Sequence, residues 1–221
     1  MRLRSGAYLL WTILVYASCS PMHNMASPNE LHKVDGTLHL VDGSTVNGEI
    51  TLQLDKNTDL PVTVHTSDSR RFYKLDSIEG YETGGIYYKL NVIKSDPVET
   101  KQRVFMRQLT KPDSKIQMYE HLFKTTGNVS TIGYSDKTPY RQLYYIHFSD
   151  DNEKEVWALH GNRFTPDFNT KMSSLIKECP ALSKKILNKE DGYFFSALSD
   201  QAEKAGVVMM KIIKEYNDCK Q

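Results

Sequence analysis

The sequence predicts an α+β fold: an antiparallel β-rich body, either a sandwich or a partial barrel, followed by C-terminal helices. Residues 33–165 contain short runs of β-branched and aromatic residues between turn residues, a pattern typical of strands. After Thr165 the spacing of the apolar residues changes from a period of two to one of 3.6, which indicates helices. With 39% hydrophobic and 25% charged residues among 221, a disordered or collagen-like chain is excluded.

The β-rich domain, residues 33–165, opens with a predicted hairpin. Thr37–Val41 runs into Asp42-Gly43, a strong tight-turn signal, and Thr45–Leu54 resumes as a strand. Further strands are predicted at Val62–Thr66, Arg71–Leu75, Gly85–Ile93, Arg103–Thr110, Ile116–Thr125, Gln142–Phe148 and Glu155–His160. Many short strands at this spacing favour a sheet that curls on itself.

The C-terminal segment, residues 166–221, is predicted to be helical. Thr165 suits an N-cap and Pro166 a first helical turn, while Pro180 ends one helix and begins the next. The apolar residues expected to face the core are Phe168, Met172, Leu175 and Ile176 in the first helix, Leu182, Ile186 and Leu187 in the second, and a stripe from Leu198 to Tyr216 in a third helix that begins at Phe194.

Residues 1–19 have the layout of a secretory signal peptide. Arg2 and Arg4 precede an uncharged, mostly apolar run from Ala7 to Ala17, and small residues surround Cys19. This run is about half the roughly 20 residues that a membrane-spanning helix needs, so a permanent transmembrane anchor is the weaker interpretation.

Tyr16-Ala17-Ser18-Cys19 resembles the lipobox of bacterial lipoproteins, in which the cysteine is lipidated and becomes the mature N-terminus. Tyr16 departs from that pattern, where an aliphatic residue is usual, so simple signal cleavage remains the alternative. Residues 20–32 contain two Ser-Pro pairs and little apolar content, and we predict a flexible tether there. We therefore expect an exported protein, lipid-anchored in the periplasm or at the outer membrane, or else secreted and soluble.

Cysteine usage agrees with export. If Cys19 is lipidated or removed, Cys179 and Cys219 are the two that remain, and an oxidising compartment would permit them to form a disulfide. Closing the long loop between them would remove roughly 4 kcal/mol of unfolded-chain entropy. Two buried free thiols are the alternative.

No catalytic spacing, cofactor motif or metal-binding motif is found in the sequence, so we nominate no catalytic residue, no cofactor and no metal. Lys plus Arg number 28 against 27 for Asp plus Glu, and this balance makes nucleic acid an unexpected partner. Aromatic and histidine residues of the strands are candidates for a ligand groove, although strand alternation requires that some belong to the core. The candidates are Tyr87, Tyr144, Trp157, His147 and His160.

Several segments resemble a family of small exported proteins of Bacteroidota to which no activity is assigned. Val41–Ile50 resembles the opening hairpin of that family, and Leu75–Tyr81 is similar to its next landmark. The pairs Cys179-Pro180 and Tyr216-Asn217, with Leu182 and Cys219, resemble its helical C-terminus. The resemblance implies export and architecture, and nothing about a reaction.

Three functions of different class are consistent with these observations. The leading one is a non-enzymatic cell-envelope lipoprotein, held to a membrane by its lipid, that binds an envelope protein or a glycan or supports an assembly. The second is a hydrolase on the β-body that uses His147, His160 and nearby acids such as Asp150 and Glu155. The third is a carrier that shelters a small apolar ligand inside the sheet.

Overall fold

The structure is a computed structural model that describes residues 25–54, 60–94, 102–124, 140–152, 154–196 and 202–219, so the predicted signal peptide and Cys19 lie outside the described residues. Within these ranges, eleven strands are followed by three helices. The strands are β1 (Met25–Ser27), β2 (Glu30–Leu40), β3 (Thr45–Gln53), β4 (Val62–His65), β5 (Arg70–Tyr73), β6 (Ile78–Thr83), β7 (Ile86–Lys94), β8 (Gln102–Gln108), β9 (Ile116–Lys124), β10 (Tyr140–Phe148) and β11 (Glu155–Ala158). The helices are α1 (Phe168–Leu175), α2 (Pro180–Leu187) and α3 (Ala202–Cys219), which confirms the predicted α+β class.

The strands form one sheet that closes on itself at one end. Their order is β11-β10-β9-β8-β7-β6-β2-β3-β4-β5, with β1 paired to β2. A parallel pairing of β11 with β7, in which Val156 faces Ile93, joins β7 to β11 into a five-stranded ring. We call β7–β11 the ring and β6-β2-β3-β4-β5 the extension sheet. The body is therefore a partial barrel, antiparallel apart from this one pairing among the described strands.

β7 is shared between the two parts. Its first half pairs with β6, from Ile86 to Lys89, and its last three residues pair with β11. Its other edge pairs with β8 from Tyr88 to Ile93. One strand therefore begins in the extension sheet and ends in the ring.

The predicted hairpin at Asp42-Gly43 is confirmed. Gly43 has φ +83°, and its N–H donates to the Leu40 carbonyl at 3.0 Å. The Asp42 carboxylate accepts from the Ser44 N–H at 2.9 Å. A glycine suits this position because side chains with a Cβ rarely adopt that backbone conformation.

The sheet core lies on the inner face of the extension sheet and reaches the outer face of β7 and β8. Because the sheet coils, its own strands cover this core. The residues are Leu31, Val34, Leu38, Ile50, Leu52, Leu54, Val62, Val64, Leu75, Ile78, Tyr81, Tyr88, Leu90 and Phe105.

The helical core lies on the outer face of β9 and β10, which α1, α2 and α3 cover. Ile116, Met118, Ile146 and Phe148 supply the strand side of this core. The helices and the segments between them supply the other side, including Phe168, Met172, Ile176, Cys179, Leu182, Ile186, Phe195, Val208, Met209, Ile212 and Ile213.

Three details of the helical prediction are corrected. α1 begins at Phe168 with Asp167 as its N-cap, rather than from Thr165. Leu175 and Leu187 are exposed, because Phe168, Met172 and Ile176 form the buried stripe of the first helix and Leu182 and Ile186 that of the second.

The third helix does not begin at Phe194 as predicted. Phe194 and Phe195 are not helical, since Phe195 packs its ring 4.3 Å from that of Phe168 in the helical core. None of the helices in the described part of the chain is both long and apolar enough to cross a membrane.

Cys179 and Cys219 form the predicted disulfide. Their Cα atoms lie 6.2 Å apart and their sulfurs 2.09 Å apart. Cys179 is buried directly before α2, and Cys219 is the last residue of α3. The bond therefore ties the start of one helix to the end of another.

The ordered body begins earlier than the predicted boundary at residue 33. Residues 25–32, which the sequence places in the flexible tether, form β1 and the start of β2, with Met25 opposite Leu31. Ser27, Pro28 and Asn29 are buried. The reason is that this turn fits between the ring and the extension sheet, where its polar groups find partners.

Candidate functional site

The inside of the ring is filled by its own side chains. Alternate residues of β8–β11 point inward, because successive side chains of a strand lie on opposite faces. The buried residues of this cluster are Val104, Met106, Tyr119, Tyr145 and Val156. A ring of five strands is narrow enough for such residues to occupy its interior, and this argues against the predicted shelter for a small apolar ligand.

Two histidines flank one buried tyrosine inside the ring. The ring centroid of Tyr145 on β10 lies 6.1 Å from that of His121 on β9 and 6.4 Å from that of His160, which follows β11. We call these three residues the His-Tyr-His row. His160 is the exposed end of the row, whereas His121 and Tyr145 are buried.

Burial shifts the pKa values of two groups in the row. Burial raises the pKa of the Tyr145 phenol to about 12, and partial burial lowers the pKa of His160 from its ordinary value. Both shifts favour the neutral forms of Tyr145 and His160. That chemistry suits neutral polar groups better than ions.

His147 is held by the backbone and does not meet His160. Its Nδ1 lies 2.9 Å from the Glu155 carbonyl oxygen, which can only accept, so Nδ1 carries the proton. The Glu155 carboxylate instead binds the Lys94 ammonium at 3.2 Å.

Within the described residues, neither His147 nor His160 hydrogen bonds to a carboxylate, and no group of three or more His, Cys, Asp or Glu is placed to hold a metal. General base catalysis by a histidine usually depends on a second group that orients the imidazole. The hydrolase hypothesis therefore lacks an assembled acid and base at the residues that the sequence nominated.

The five residues of the predicted groove lie on two faces of the sheet. Tyr144 and Trp157 are on the outer face, where both pack against the helical core. Trp157 also stacks under the Arg163 guanidinium, which is 4.4 Å from its ring and binds the Asp151 carboxylate at 2.8 Å. These contacts give both aromatic residues a packing role.

Tyr87 and His147 are on the opposite face, and His160 joins only Tyr145. The Tyr87 ring lies 5.2 Å from that of His39 and covers Gly80, where a Cβ would be 2.6 Å from the Tyr87 hydroxyl. The five residues consequently do not line one groove. Tyr144 and Tyr145 are adjacent on one strand and therefore point to opposite faces of the sheet. The sequence itself thus indicates that the candidates divide between two faces.

A buried asparagine is the strongest polar feature that the sequence analysis missed. Asn29 is fully buried in the turn between β1 and β2. Its Oδ1 accepts from the Phe105 N–H at 2.7 Å, and its Nδ2 donates to the Phe105 carbonyl at 3.2 Å. The same Nδ2 lies 3.4 Å from His121 Nε2, so Asn29 also reaches the His-Tyr-His row.

Asn29 fills a gap in the ring. β8 and β9 are paired only at Arg107 and Gln108 among the described residues, so the backbone groups of Phe105 have no partner on β9. There the side-chain amide of Asn29 makes the two backbone hydrogen bonds that a paired strand would otherwise make. Nearby, the Tyr81 hydroxyl donates to the Pro28 carbonyl at 2.8 Å, which fixes the same turn to the extension sheet. We call these contacts the Asn29 clamp.

A second polar cluster lies on the outer face of β8–β10. The buried Glu120 carboxylate is 3.4 Å from an Arg107 guanidinium nitrogen and accepts a hydrogen bond from the Gln142 amide. Gln142 also donates to the Tyr144 hydroxyl at 2.7 Å. Because these groups satisfy one another, the cluster acts as a structural brace of the strands.

No protein-family model, curated protein or solved structure matches the chain. The functional interpretation therefore depends on its own sequence and geometry. Of the three polar groupings, the His-Tyr-His row is the better candidate for binding, because the Asn29 clamp is buried and the Glu120 carboxylate is occupied by Arg107 and Gln142, whereas His160 is exposed at one end of the row.

Proposed function

We propose that the protein is an exported lipoprotein of the cell envelope that binds a macromolecular partner and carries out no reaction. The observation that carries the proposal is the leader, which ends in Ala17-Ser18-Cys19 after an apolar run. The resemblance of Val41–Ile50 and of the C-terminal segment to a family of exported proteins of Bacteroidota would imply the same placement.

The cysteine pairing supports export independently of the leader. Cys179 and Cys219 lie at bonding distance, and disulfides of this kind persist in oxidising compartments. Of the three cysteines, Cys19 is then the one without a disulfide role. It is also the one that the lipobox pattern would lipidate.

Binding is favoured over catalysis by the chemistry of the His-Tyr-His row. The row offers imidazole and phenol groups, burial raises the pKa of Tyr145 and lowers that of His160, and within the described residues His160 has no hydrogen bond to a carboxylate. An envelope protein or a glycan, both rich in neutral hydrogen-bonding groups, fits this surface better than a charged polymer does.

Membrane attachment through lipid rather than charge follows from the composition. Removal of the leader takes away Arg2 and Arg4, so the formal charge changes from +1 to +1 − 2 = −1. A protein this close to neutral has little electrostatic attraction to anionic lipid headgroups. Detergent should release it from membranes, whereas salt should not.

The test is fractionation of a Cys19→Ser variant. We expect the wild-type protein in the membrane fraction and the variant in the soluble envelope fraction, because the lipid attaches to the thiol. Met22→Ala, which keeps the thiol, is the matched control and should remain with membranes. A Cys19→Ser protein that stays membrane-bound contradicts lipidation, and a soluble wild-type protein favours simple cleavage and secretion.

A further inference from the structure

β5 is the open edge of the extension sheet. It ends the strand order and pairs with β4 alone among the described strands. Its residues keep a regular register with β4, from Arg70 opposite His65 to Tyr73 opposite Val62. A regular edge offers unpaired backbone N–H and C=O groups to any extended chain that reaches it. β5 is therefore a position at which another strand can be added to the sheet.

The pairing of β4 with β5 determines which backbone groups face outward. The hairpin between the two strands closes with the Thr66 N–H, which donates to the Ser69 carbonyl at 2.8 Å. Hydrogen-bonded and non-hydrogen-bonded residue pairs alternate in an antiparallel ladder, so the backbone of Arg71 bonds to β4. The N–H and C=O groups of Arg70 and Phe72 then point away from β4, toward the open edge.

The side chains of this edge combine an exposed aromatic ring with positive charge. Phe72 is 60% exposed, and the Arg70 guanidinium lies 4.8 Å from its ring centroid. Arg71 on the other face of the sheet and Lys74 just after the strand are also exposed. Among the described residues, no carboxylate forms an ion pair with these three cations. The edge therefore attracts negative charge.

A second copy of β5 is a poor match for this edge. In antiparallel self-pairing, the registers that retain most of the strand place either Arg71 opposite its own counterpart or Arg70 opposite the counterpart of Lys74. Like charges directly opposite each other destabilise a strand pair. A strand with carboxylates at those positions is attracted instead. The edge therefore discriminates against its own copy and favours an acidic partner.

We infer that β5 binds an extended acidic segment of a partner protein, which joins the sheet as an additional antiparallel strand. The side chains of β5 predict the pattern of that segment. Two adjacent acidic residues lie opposite Arg71 and Arg70, and the apolar residue before them lies opposite Phe72. β5 and the strands of the His-Tyr-His row are far apart in the strand order, so this surface goes beyond the proposed function and requires neither the row nor the lipid.

The test is peptide binding to the full chain, expressed with its leader and purified in detergent. The probe is Thr-Glu-Thr-Val-Glu-Glu-Thr, acetylated, amidated and labelled for fluorescence anisotropy. We expect saturable binding that Arg70→Glu/Arg71→Glu weakens by about tenfold or more, because attraction becomes repulsion. Lys111→Glu/Lys115→Glu makes the same charge change at exposed residues before β9 and should bind as the wild type does.

A peptide with Lys in place of each Glu shows that the charge-reversed protein is folded. Arg70→Glu/Arg71→Glu should bind this basic peptide more tightly than the wild type does, by about tenfold. Failure of the wild type to bind the acidic peptide, or equal losses in the two double variants, overturns the inference.

Two N-methylated peptides distinguish strand addition from charge attraction alone. N-methyl groups on the residues opposite Arg70 and Phe72 block the hydrogen bonds to β5, whereas those on the residues opposite Arg71 and Tyr73 point away from it. The first peptide should bind about tenfold more weakly, since two hydrogen bonds are lost, and the second should bind as the unmodified peptide does.

Two further outcomes would overturn the inference. Equal binding of the two methylated peptides would mean that charge attracts the peptide without strand pairing. Sedimentation of the wild type as a dimer, converted to a monomer by Phe72→Asp, would mean that a second copy covers the edge. None of these results depends on the fraction in which Cys19→Ser is found, so the lipoprotein proposal can fail or hold separately.

Discussion

The sheet core and the helical core are closed in different ways. In the extension sheet, Leu38, Ile50 and Val64 are buried among strand residues and Leu75 of a short 3-10 turn, and none of the described residues of this core comes from α1, α2 or α3. The ring uses its inner face for packing among its own strands, which leaves the outer face of β9 and β10 apolar and uncovered. Three helices supply that cover, with Met209 and Ile212 of α3 fully buried.

The two cores also differ in what fixes their least regular parts. The N-terminal turn of the sheet side is fixed by buried hydrogen bonds of Asn29, whereas the ends of α2 and α3 are fixed by a covalent bond between Cys179 and Cys219. Helices packed on a sheet form few backbone hydrogen bonds with it, so a covalent cross-link is the more effective way to stabilise the positions of α2 and α3. A turn next to open strand edges can use hydrogen bonds instead.

The largest loss of stability is expected when the disulfide on the helical side is removed. The double variant Cys179→Ala/Cys219→Ala should lower the free energy of unfolding by about 4 kcal/mol, because the unfolded chain regains the entropy of a long loop. Urea unfolding under oxidising conditions measures this. In reductant, the free energy of unfolding of the wild-type protein should fall by a similar amount, whereas that of the double variant should not change. If the double variant loses less than about 1 kcal/mol, packing alone holds the helices.

A smaller effect is expected from breaking the sheet side. Asn29→Ala should lower the free energy of unfolding by about 3 kcal/mol, because it leaves the buried N–H and C=O of Phe105 without partners. Asn47→Ala is the matched control, since Asn47 is exposed and its Oδ1 accepts a hydrogen bond from the Thr37 hydroxyl at 2.7 Å.

The control should cost less than about 1 kcal/mol in the same urea titration. Equal losses in the two asparagine variants would show that Asn29 is not a clamp. Hydrogen exchange sharpens the comparison, because Asn29→Ala should speed exchange in β1 and β2 more than in α3.

The smallest expected effect is on the pH dependence of the free energy of unfolding, and it comes from His160 of the His-Tyr-His row. Partial burial lowers the pKa of His160 below its ordinary value, so the unfolded chain takes up this proton at a higher pH than the folded chain does. The His160 contribution to stability is therefore complete above the unfolded pKa of about 6.5 and is lost as pH falls below it.

We expect urea unfolding at about pH 7.5 and about pH 5.5, values on either side of the unfolded histidine pKa, to show a smaller acid loss in His160→Gln than in the wild type. An identical loss in the wild type and His160→Gln would assign the pH dependence to other groups.

Local sequence patterns predict most of the strands and little of their arrangement. Alternation and turn residues place β4, β8 and β10 within two residues of their observed ends. β1 was missed because three residues beside a Ser-Pro pair show no period. The parallel closure of β11 on β7 was missed as well, since it joins residues that are far apart in the sequence.

The candidate site is harder to predict for the same reason. His160 was nominated, but its neighbour Tyr145 was recognised only as one of two adjacent tyrosines, and His121 and Asn29 were not nominated. Their proximity depends on strand register and on a turn that inserts between distant strands. No residue type or spacing in the linear sequence records such contacts.

The division of β7 between two partners has a consequence for how the molecule unfolds. Tyr88 and Leu90 contribute to the sheet core, while Ile93 packs in the ring interior. Loss of pairing on one half of β7 removes contacts that help to hold the other half, so damage to either part is transmitted along the same backbone. The two parts should therefore behave as one cooperative unit, and neither could be cut out of the chain as an autonomous domain.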